Sequence, residues 1–83
     1  MFYVYVLQNE RLATYIGSTN DLRRRFKEHA LGKAAATRDH VWHLVYYEAY
    51  GAEQDARERE HQLKYRGQAK AQLKRRLKHT LKS

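Results

Sequence analysis

Residues 15–29 gather three kinds of chemically active side chain in one short stretch. Tyr15 carries a phenol, residues 23–25 are consecutive arginines, and His29 carries an imidazole. A guanidinium binds phosphate oxygens through paired, charge-assisted hydrogen bonds, and an imidazole exchanges a proton near neutral pH. The stretch therefore predicts a site that binds and acts on phosphate groups.

Arg25 and His29 are four residues apart, a spacing that places both side chains on one face of a helix. This face adjoins the apolar stripe of the same helix, formed by Leu22, Phe26 and Ala30. A guanidinium beside apolar side chains is partly shielded from water, where it holds phosphate more strongly. A solvated basic helix face with an incidental histidine would show the same spacing. Further candidate contacts to a nucleic-acid backbone are Arg23, Arg24, Lys27, Lys33, Arg38, Lys64 and Lys70.

Tyrosines mark the two strands predicted before this helix, at Tyr3, Tyr5 and Tyr15. A phenol close to arginines can have its pKa lowered and can then act as a general base toward water. Strand tyrosines more commonly serve as packing residues with a polar tip. Spacing alone leaves both interpretations open.

Glu60 is a candidate ligand for a divalent cation. It lies in a predicted helix, and Mg²⁺ often binds one carboxylate while water and substrate phosphate complete its coordination. The alternative is an ion pair with Lys64 four residues later. Glu58 is a second acidic candidate on the same helix.

The composition indicates a nucleic-acid partner. Seventeen Lys and Arg residues against nine Asp and Glu give a formal net charge of +8 on 83 residues, which implies a polyanionic partner. No apolar run approaches the ~20 residues that span a bilayer, and the polar N-terminus lacks signal-peptide features. We therefore expect a single cytoplasmic domain over residues 1–83, without membrane contact and without a small-molecule cofactor.

Hydrophobic periodicity predicts the element order β-β-α-β-α-α, with strands 2–8 and 13–16, helix 21–31, strand 41–50 and helices 52–65 and 69–82. A loop or short helical turn is expected over 33–40. A three-stranded antiparallel sheet flanked by helices, of the α+β class, packs this order economically.

Several local features are also expected. Gly17 should end the second strand, residues 18–20 should cap the helix, Asp21 should lie in its first turn, and Gly32 should stop it. The third strand should place Trp42, Leu44, Tyr46 and Glu48 on one face. Because neither of its faces is purely polar, it should be the central strand. The final helix should pack through Leu73, Leu77 and Leu81.

Five short motifs follow one another along almost the whole chain. They are Tyr-Val-Tyr at 3–5, Tyr-Ile-Gly at 15–17, residues 21–26 with His29, residues 37–48 and residues 56–64. In this order they resemble the GIY-YIG nuclease superfamily, and more narrowly the small stand-alone bacterial members related to the N-terminal domain of the excinuclease C subunit. Tyr3 stands where the family has glycine, and the sequence lacks the late asparagine that many members carry.

The resemblance implies metal-dependent hydrolysis of phosphodiester bonds in DNA, with low sequence specificity, in DNA repair or recombination. It implies a catalytic set of Tyr5, Tyr15, Arg25, His29 and Glu60. Tyr5 would act as the general base, with Tyr15 orienting water or phosphate. Arg25 would bind the scissile phosphate, and His29 would assist proton transfer or hold the phosphate. Glu60 would hold a single Mg²⁺ or Mn²⁺ ion.

Two other functions remain compatible with the sequence. A basic nucleic-acid-binding module would need the positive charge but no phenol pair or metal-binding carboxylate. An accessory subunit of a larger repair or recombination complex could dock through Leu77, Leu81 and the basic C-terminal helix.

Overall fold

The computed structural model describes residues 1–82, and its elements follow the predicted order β-β-α-β-α-α of an α+β fold. The strands are β1 (Phe2–Asn9), β2 (Thr14–Thr19) and β3 (Trp42–Tyr50). The helices are α1 (Leu22–Ala30), α2 (Glu53–Tyr65) and α3 (Gly67–Arg76), with a 3₁₀ turn at Ala35–Thr37. Within residues 1–82, no helix is both long enough and apolar enough to cross a bilayer.

The sheet has the strand order β2-β1-β3 with antiparallel pairing throughout. The expectation that β3 is central is therefore wrong, since β3 pairs only with β1 and lies at an edge. The last six residues of β1 are all buried, as expected for a strand covered on both faces and paired on both sides.

A bulge explains why β3 resembled a central strand. Val6 pairs with Tyr46 but Leu7 pairs with Leu44, so Val45 is an extra residue in the ladder. The four residues of β3 that were expected on one face of the sheet therefore lie on two different faces. Trp42 and Leu44 pack toward α1, whereas Tyr46 and Glu48 lie on the opposite face with Tyr50 and α2.

The helices cover the two faces of the sheet as separate layers. Tyr5, Leu7 and Trp42 form a small buried cluster beneath α1. The larger core lies beneath α2 and α3 and consists of Val4, Val6, Ile16, Ala56, Leu63, Leu73 and Leu77. Leu81 also packs against this core, so the predicted packing role of the leucine stripe is confirmed.

Helix α1 is fixed at both ends by local hydrogen bonds. Asp21 is the N-cap rather than a first-turn residue, and its carboxylate accepts the Arg24 N–H at 3.0 Å. Gly32 has φ of +73° and donates to the His29 carbonyl, while Lys33 donates to the Glu28 carbonyl, which is a Schellman stop. The predicted helix stop at Gly32 is confirmed, and it holds the last helical turn in place. That turn buries His29 and leaves Ala30 exposed, so Ala30 is not part of the packed stripe.

The last helix is shorter than predicted and starts earlier, at Gly67 instead of 69. It ends at Arg76 because the following residues form a turn, in which Thr80 N–H donates to the Leu77 carbonyl at 2.9 Å. The chain end is then fastened to β1. The Gln8 amide donates to the Lys82 carbonyl at 2.9 Å and accepts the Lys82 N–H at 3.0 Å.

Candidate active site

A buried tyrosine–histidine pair lies at the centre of the α1 layer. Tyr5 comes from the central strand and is 1% exposed, and His29 comes from the last turn of α1 and is 2% exposed. The Tyr5 hydroxyl lies 2.8 Å from His29 Nε2. Two residues that the sequence placed in one catalytic set are therefore in direct contact.

Thr37 holds the other side of the imidazole ring. Its hydroxyl lies 2.6 Å from His29 Nδ1 and 3.4 Å from the Ala34 carbonyl, which can accept the hydroxyl proton. The Thr37 oxygen then accepts the Nδ1 proton, and His29 Nε2 is left as the acceptor for Tyr5. Thr37 itself is held by its carbonyl, which accepts the Trp42 indole N–H at 3.0 Å. Sequence reasoning noted Thr37 only as part of a family motif. Its contact with His29 depends on how the connection between α1 and β3 folds, which no local pattern predicts.

Burial sets the protonation of both partners. It lowers the pKa of His29, and the nearby positive charge of Arg25 lowers it further, so the imidazole is neutral at neutral pH. Burial raises the pKa of Tyr5 and outweighs the opposing hydrogen bond from Arg25. The expectation of a lowered phenol pKa is therefore wrong in its net direction. The pair consists of a protonated phenol beside a neutral imidazole.

Arg25 lies at the solvent side of this pair. Its side chain is 34% exposed and donates to Glu28 Oε1 at 3.3 Å. Interaction with the Tyr5 hydroxyl is the main cause that raises the pKa of Arg25, with a smaller contribution from Tyr15. The guanidinium is thus permanently cationic and lies near both phenols, and part of its side chain still faces water, as a phosphate-binding group must.

Tyr15 completes the aromatic cluster from the edge strand β2. Its ring centroid lies 5.1 Å from the His29 ring, 6.3 Å from the Tyr5 ring and 6.2 Å from the Trp42 ring. These distances are in the range of favourable aromatic pairs. The rings pack around the buried Tyr5–His29 pair and hold its two side chains in place.

Gly17 is required by this cluster and does not end β2. The strand continues to Thr19, and Gly17 pairs with Tyr5 in the ladder. A Cβ atom at Gly17 would lie 2.5 Å from the Tyr5 hydroxyl oxygen and 2.6 Å from Tyr5 Cζ. The missing side chain gives the phenol the space in which it crosses β2.

Gly17→Ala is expected to displace the Tyr5 ring and to lower the free energy of unfolding by about 1–3 kcal/mol, the usual cost of overpacking. The reason is that Tyr5 is enclosed by His29 and Tyr15 and cannot turn away freely. Urea denaturation measures the effect. Gly51→Ala is the matched control, because a Cβ atom there has no neighbour within 4 Å. Equal stability of the two variants would contradict the close approach at Gly17.

Glu60 extends from α2 toward the same end of β2. Its Oε1 accepts the Ser18 hydroxyl at 2.7 Å, and its Oε2 pairs with Lys64 Nζ at 2.8 Å. Burial alone would raise the pKa of Glu60, but the hydrogen bonds from Lys64 and Ser18 outweigh it and lower the pKa. The ion pair that the sequence allowed as an alternative is thus present. Ser18, expected only as a cap, is the residue that orients the carboxylate.

These donors suit a weakly held divalent cation. Within residues 1–82, no three His, Asp or Glu side chains come close enough together to form a metal cage. Mg²⁺ nevertheless binds well to one ionised carboxylate with water and substrate phosphate. Glu60 is such a carboxylate, ionised by its low pKa and with a side chain 21% exposed. It fits this kind of site, in which Lys64 competes for the same oxygen.

Glu60 and the aromatic cluster meet at β2. Lys64 Nζ lies 6.0 Å from the centroid of the Tyr15 ring, and the charge of Glu60 contributes to the raised pKa of Tyr5. Ser18, the hydrogen-bond donor to Glu60, is the neighbour of Gly17 in the strand. All five residues of the predicted catalytic set therefore belong to one connected region.

The predicted nucleic-acid contacts divide between the layers of the fold. Those of α1 and the following connection are all exposed: Arg23, Arg24, Lys27, Lys33 and Arg38. Lys64 lies on α2 and is paired with Glu60. Lys70 lies on α3, across the sheet from α1, and is half-buried.

Comparison with known proteins gives two kinds of match. A family model described as the GIY-YIG catalytic domain matches residues 1–75. A UPF0213 protein of Haloquadratum walsbyi is 36% identical over 74 residues, which cover 86% of this chain and 83% of that protein. A UPF0213 protein of Vibrio parahaemolyticus is 59% identical over 32 residues, or 39% of this chain.

The Vibrio matches are shorter. They span 30% of the Vibrio parahaemolyticus protein and 31% of a second UPF0213 protein, from Vibrio campbellii, which is 53% identical over 32 residues. No solved structure matches the chain significantly.

Proposed function

The chain belongs to the GIY-YIG catalytic domain family, and on this premise we propose that it is a metal-dependent nuclease. In this proposal residues 1–83 form one nuclease domain that hydrolyses phosphodiester bonds in DNA with low sequence specificity. Such an activity would serve DNA repair or recombination.

The single observation that carries the proposal is the buried hydrogen bond between Tyr5 and His29, beside which the charge of Arg25 acts on the pKa of both groups. A polar pair inside a small core costs free energy unless every group is satisfied, and apolar residues would fill the space more simply. A phenol, a neutral imidazole and a permanent cation at one point are the groups that water activation and phosphate binding require.

Water activation would use Tyr5 and His29 as a relay. The raised pKa of Tyr5 keeps its proton on the oxygen, so the phenol cannot remove a proton from water without first passing its own on. His29 Nε2 lies 2.8 Å away and is neutral, so it can accept that proton. The attacking water would then transfer its proton to the Tyr5 oxygen as it bonds to phosphorus.

Arg25 would bind the phosphate under attack. Its bond to Glu28 is long, at 3.3 Å, and can be exchanged for the shorter bonds that a phosphate oxygen accepts. Negative charge grows on the phosphoryl oxygens during the transfer, and a fixed guanidinium stabilises that charge. Tyr15 would limit the positions that the phosphate and the water can take.

Glu60 would hold the divalent cation through its carboxylate, with Ser18 as its supporting residue. A Mg²⁺ or Mn²⁺ ion there would supply charge stabilisation of the phosphoryl and leaving oxygens. Ser18 would keep the carboxylate in one orientation through its hydroxyl. Substrate binding itself would depend mainly on the exposed cations of the α1 layer, which contact phosphates whatever the sequence.

A binding module without catalysis is the second candidate, and the net charge of +8 favours it. It would not require the Tyr5–His29 pair or Glu60. The accessory-subunit alternative loses the leucines of its proposed docking surface, because Leu77 is buried in the protein's own core and Leu81 packs against that core. The basic residues in the last turn of α3 remain exposed.

Cleavage of labelled single- and double-stranded DNA in Mg²⁺, in Mn²⁺ and in EDTA tests the proposed function, with Arg25→Gln as the variant. We expect metal-dependent cleavage that falls by about 10²- to 10³-fold in Arg25→Gln, the usual cost of removing one charge-stabilising donor. The reaction should be measured at saturating DNA, so that weaker binding does not enter the rate.

Arg66→Gln is the matched control for this experiment, since it removes the same charge from an exposed residue between α2 and α3. Cleavage by Arg66→Gln should equal that of the wild type. Absence of cleavage of any DNA by the wild-type protein, with DNA binding retained, would favour the binding module and reject the nuclease.

A further inference from the structure

A groove lies beside the candidate active site, on the α1 face of the sheet. It has a volume of about 520 Å³, within the ~300–1,000 Å³ range of sites for small organic groups. Its walls are mainly apolar and aromatic, and the side chains that form them are Tyr3, Leu22, Phe26, Leu44 and Tyr47. The groove includes the candidate nucleic-acid contact Arg23 but no residue of the candidate catalytic set.

Strand pairing places residues of the groove next to Tyr5 in the sheet. Tyr47 is the partner of Tyr5 across the ladder, and Tyr3 lies two residues before Tyr5 on the same face of β1. Leu22, Phe26 and Leu44 pack directly against the cluster that contains Tyr5. A group held in the groove would thus lie on the same face of the sheet as Tyr5, beside the side chains that pack against it.

Two tyrosine rings form the open part of the groove. Their centroids are 6.0 Å apart with an interplanar angle of 68°, an edge-to-face contact that leaves a ring face available. Tyr47 is 52% exposed although it lies in the middle of a strand. An aromatic face in this setting is the kind of surface on which nucleic-acid bases stack.

The positively charged side chains at the rim of the groove also favour a nucleotide as its ligand. Arg23 lines the groove, and Arg24 on the same turn of α1 is also exposed. Asn20 also lines the groove and uses its carbonyl oxygen to accept from Arg24 at 3.3 Å, so its amide donors are not engaged in that bond. Aromatic rings, cations and amide donors together suit a base that is attached to phosphates, and they do not suit an apolar peptide.

We propose that the groove formed by Tyr3, Tyr47 and the α1 face binds the unpaired base of a nucleotide beside the phosphate under attack. A base inside a duplex has both faces covered by its neighbours, so only single-stranded or locally opened nucleic acid can place one on Tyr47. The inference rests on the proposed function and adds the class of substrate: strands with at least one unstacked base at the cleavage site.

Binding measured in EDTA separates this inference from catalysis. Fluorescence anisotropy would compare a labelled oligothymidine, an abasic strand of the same length and a duplex of the same length, all at one salt concentration. We expect the wild type to bind the oligothymidine more tightly than the other two. Tyr47→Ala should weaken oligothymidine binding by roughly 5- to 100-fold, the contribution of one base–aromatic stack, and leave abasic and duplex binding unchanged.

Two further variants control for the loss of the side chain. Tyr47→Phe keeps the ring and should retain the preference for the strand that carries bases. Tyr65→Ala removes a tyrosine that is 73% exposed on the other layer, and it should also retain the preference.

Equal weakening of all three ligands by Tyr47→Ala, or tighter binding of the duplex than of the oligothymidine by the wild type, would overturn the inference. If the wild type cleaves DNA but gives either of these results, base binding in the groove is rejected and the proposed nuclease activity is retained. Absence of both binding and cleavage would reject the two proposals together.

Discussion

Replacing Tyr5 with phenylalanine is expected to slow DNA cleavage by about 10²- to 10⁴-fold, the usual contribution of one positioned proton-transfer group. The substitution removes the oxygen that lies 2.8 Å from His29 Nε2 and keeps the ring that fills the cluster. Single-turnover cleavage at saturating DNA measures the chemical step directly. Some stability should also be lost, by about 1–3 kcal/mol, because a buried imidazole nitrogen loses its partner.

Tyr46→Phe is the matched control for that loss of stability. Its hydroxyl donates to Glu48 at 2.7 Å on the opposite face of the sheet, so its removal also deletes one partly buried hydrogen bond of a tyrosine. We expect a lower unfolding temperature but wild-type cleavage in this variant. A Tyr5→Phe rate within a few-fold of the wild type would show that the phenol does not participate in catalysis.

The pH dependence of the wild-type rate gives a second test of the relay. The relay requires a neutral His29, and burial together with Arg25 lowers the pKa of His29 below its usual 6.5. Cleavage should therefore decrease at acidic pH, as the imidazole becomes protonated, with the midpoint of the decrease below pH 6.5. A midpoint above this value would contradict the role assigned to His29.

The sequence predicts the element order because each element is marked locally. Alternating or consecutive apolar residues mark the strands, and apolar spacing with a glycine stop marks α1. The pair Arg25 and His29 was found for the same reason, since a four-residue spacing defines a helix face. These features depend only on neighbours in the chain.

The features that sequence reasoning missed depend on contacts across the fold. The bulge at Val45 reverses which residues of β3 face α1, and no local signal in this stretch marks the extra residue. Gly17 looked like a strand end, but it is needed because the Tyr5 hydroxyl passes over it. Thr37 reaches His29 only because the 3₁₀ turn folds back beneath α1.

The direction of the pKa of Tyr5 illustrates the same limit. Proximity to arginines predicted a lowered value, and Arg25 does lower it. Burial acts in the opposite direction and is larger, and the extent of burial follows from the sheet order, in which β1 is central. The mechanism consequently changes from a free phenolate to a phenol that must pass its proton to His29.

Replacing Glu60 with glutamine is expected to reduce metal-dependent cleavage by about 10³-fold, since a catalytic cation contributes several kcal/mol and each ~1.4 kcal/mol is a factor of ten in rate. Glutamine keeps the shape of the side chain and can still accept the Ser18 hydroxyl, so the variant removes the charge together with its ion pair to Lys64. Cleavage rates as a function of Mn²⁺ concentration measure the effect.

Glu58→Gln is the matched control, because it makes the same chemical change two residues earlier on an exposed part of α2. Its rate and its Mn²⁺ dependence should equal those of the wild type. The comparison decides between the two acidic candidates on this helix, and the contact of Ser18 with Glu60 is the structural reason to expect an effect at Glu60.

Lys64→Met tests the competition for the Glu60 carboxylate. Lys64 Nζ lies 2.8 Å from Glu60 Oε2, so a cation at this carboxylate must share or displace the ammonium group. Removing Lys64 should lower the Mn²⁺ concentration that gives half-maximal cleavage, whereas Glu60→Gln should raise it. Undiminished wild-type cleavage in EDTA, or equal rates of Glu60→Gln and Glu58→Gln in Mn²⁺, would contradict metal binding at Glu60. Lys64 would then be the cation that Glu60 serves to position.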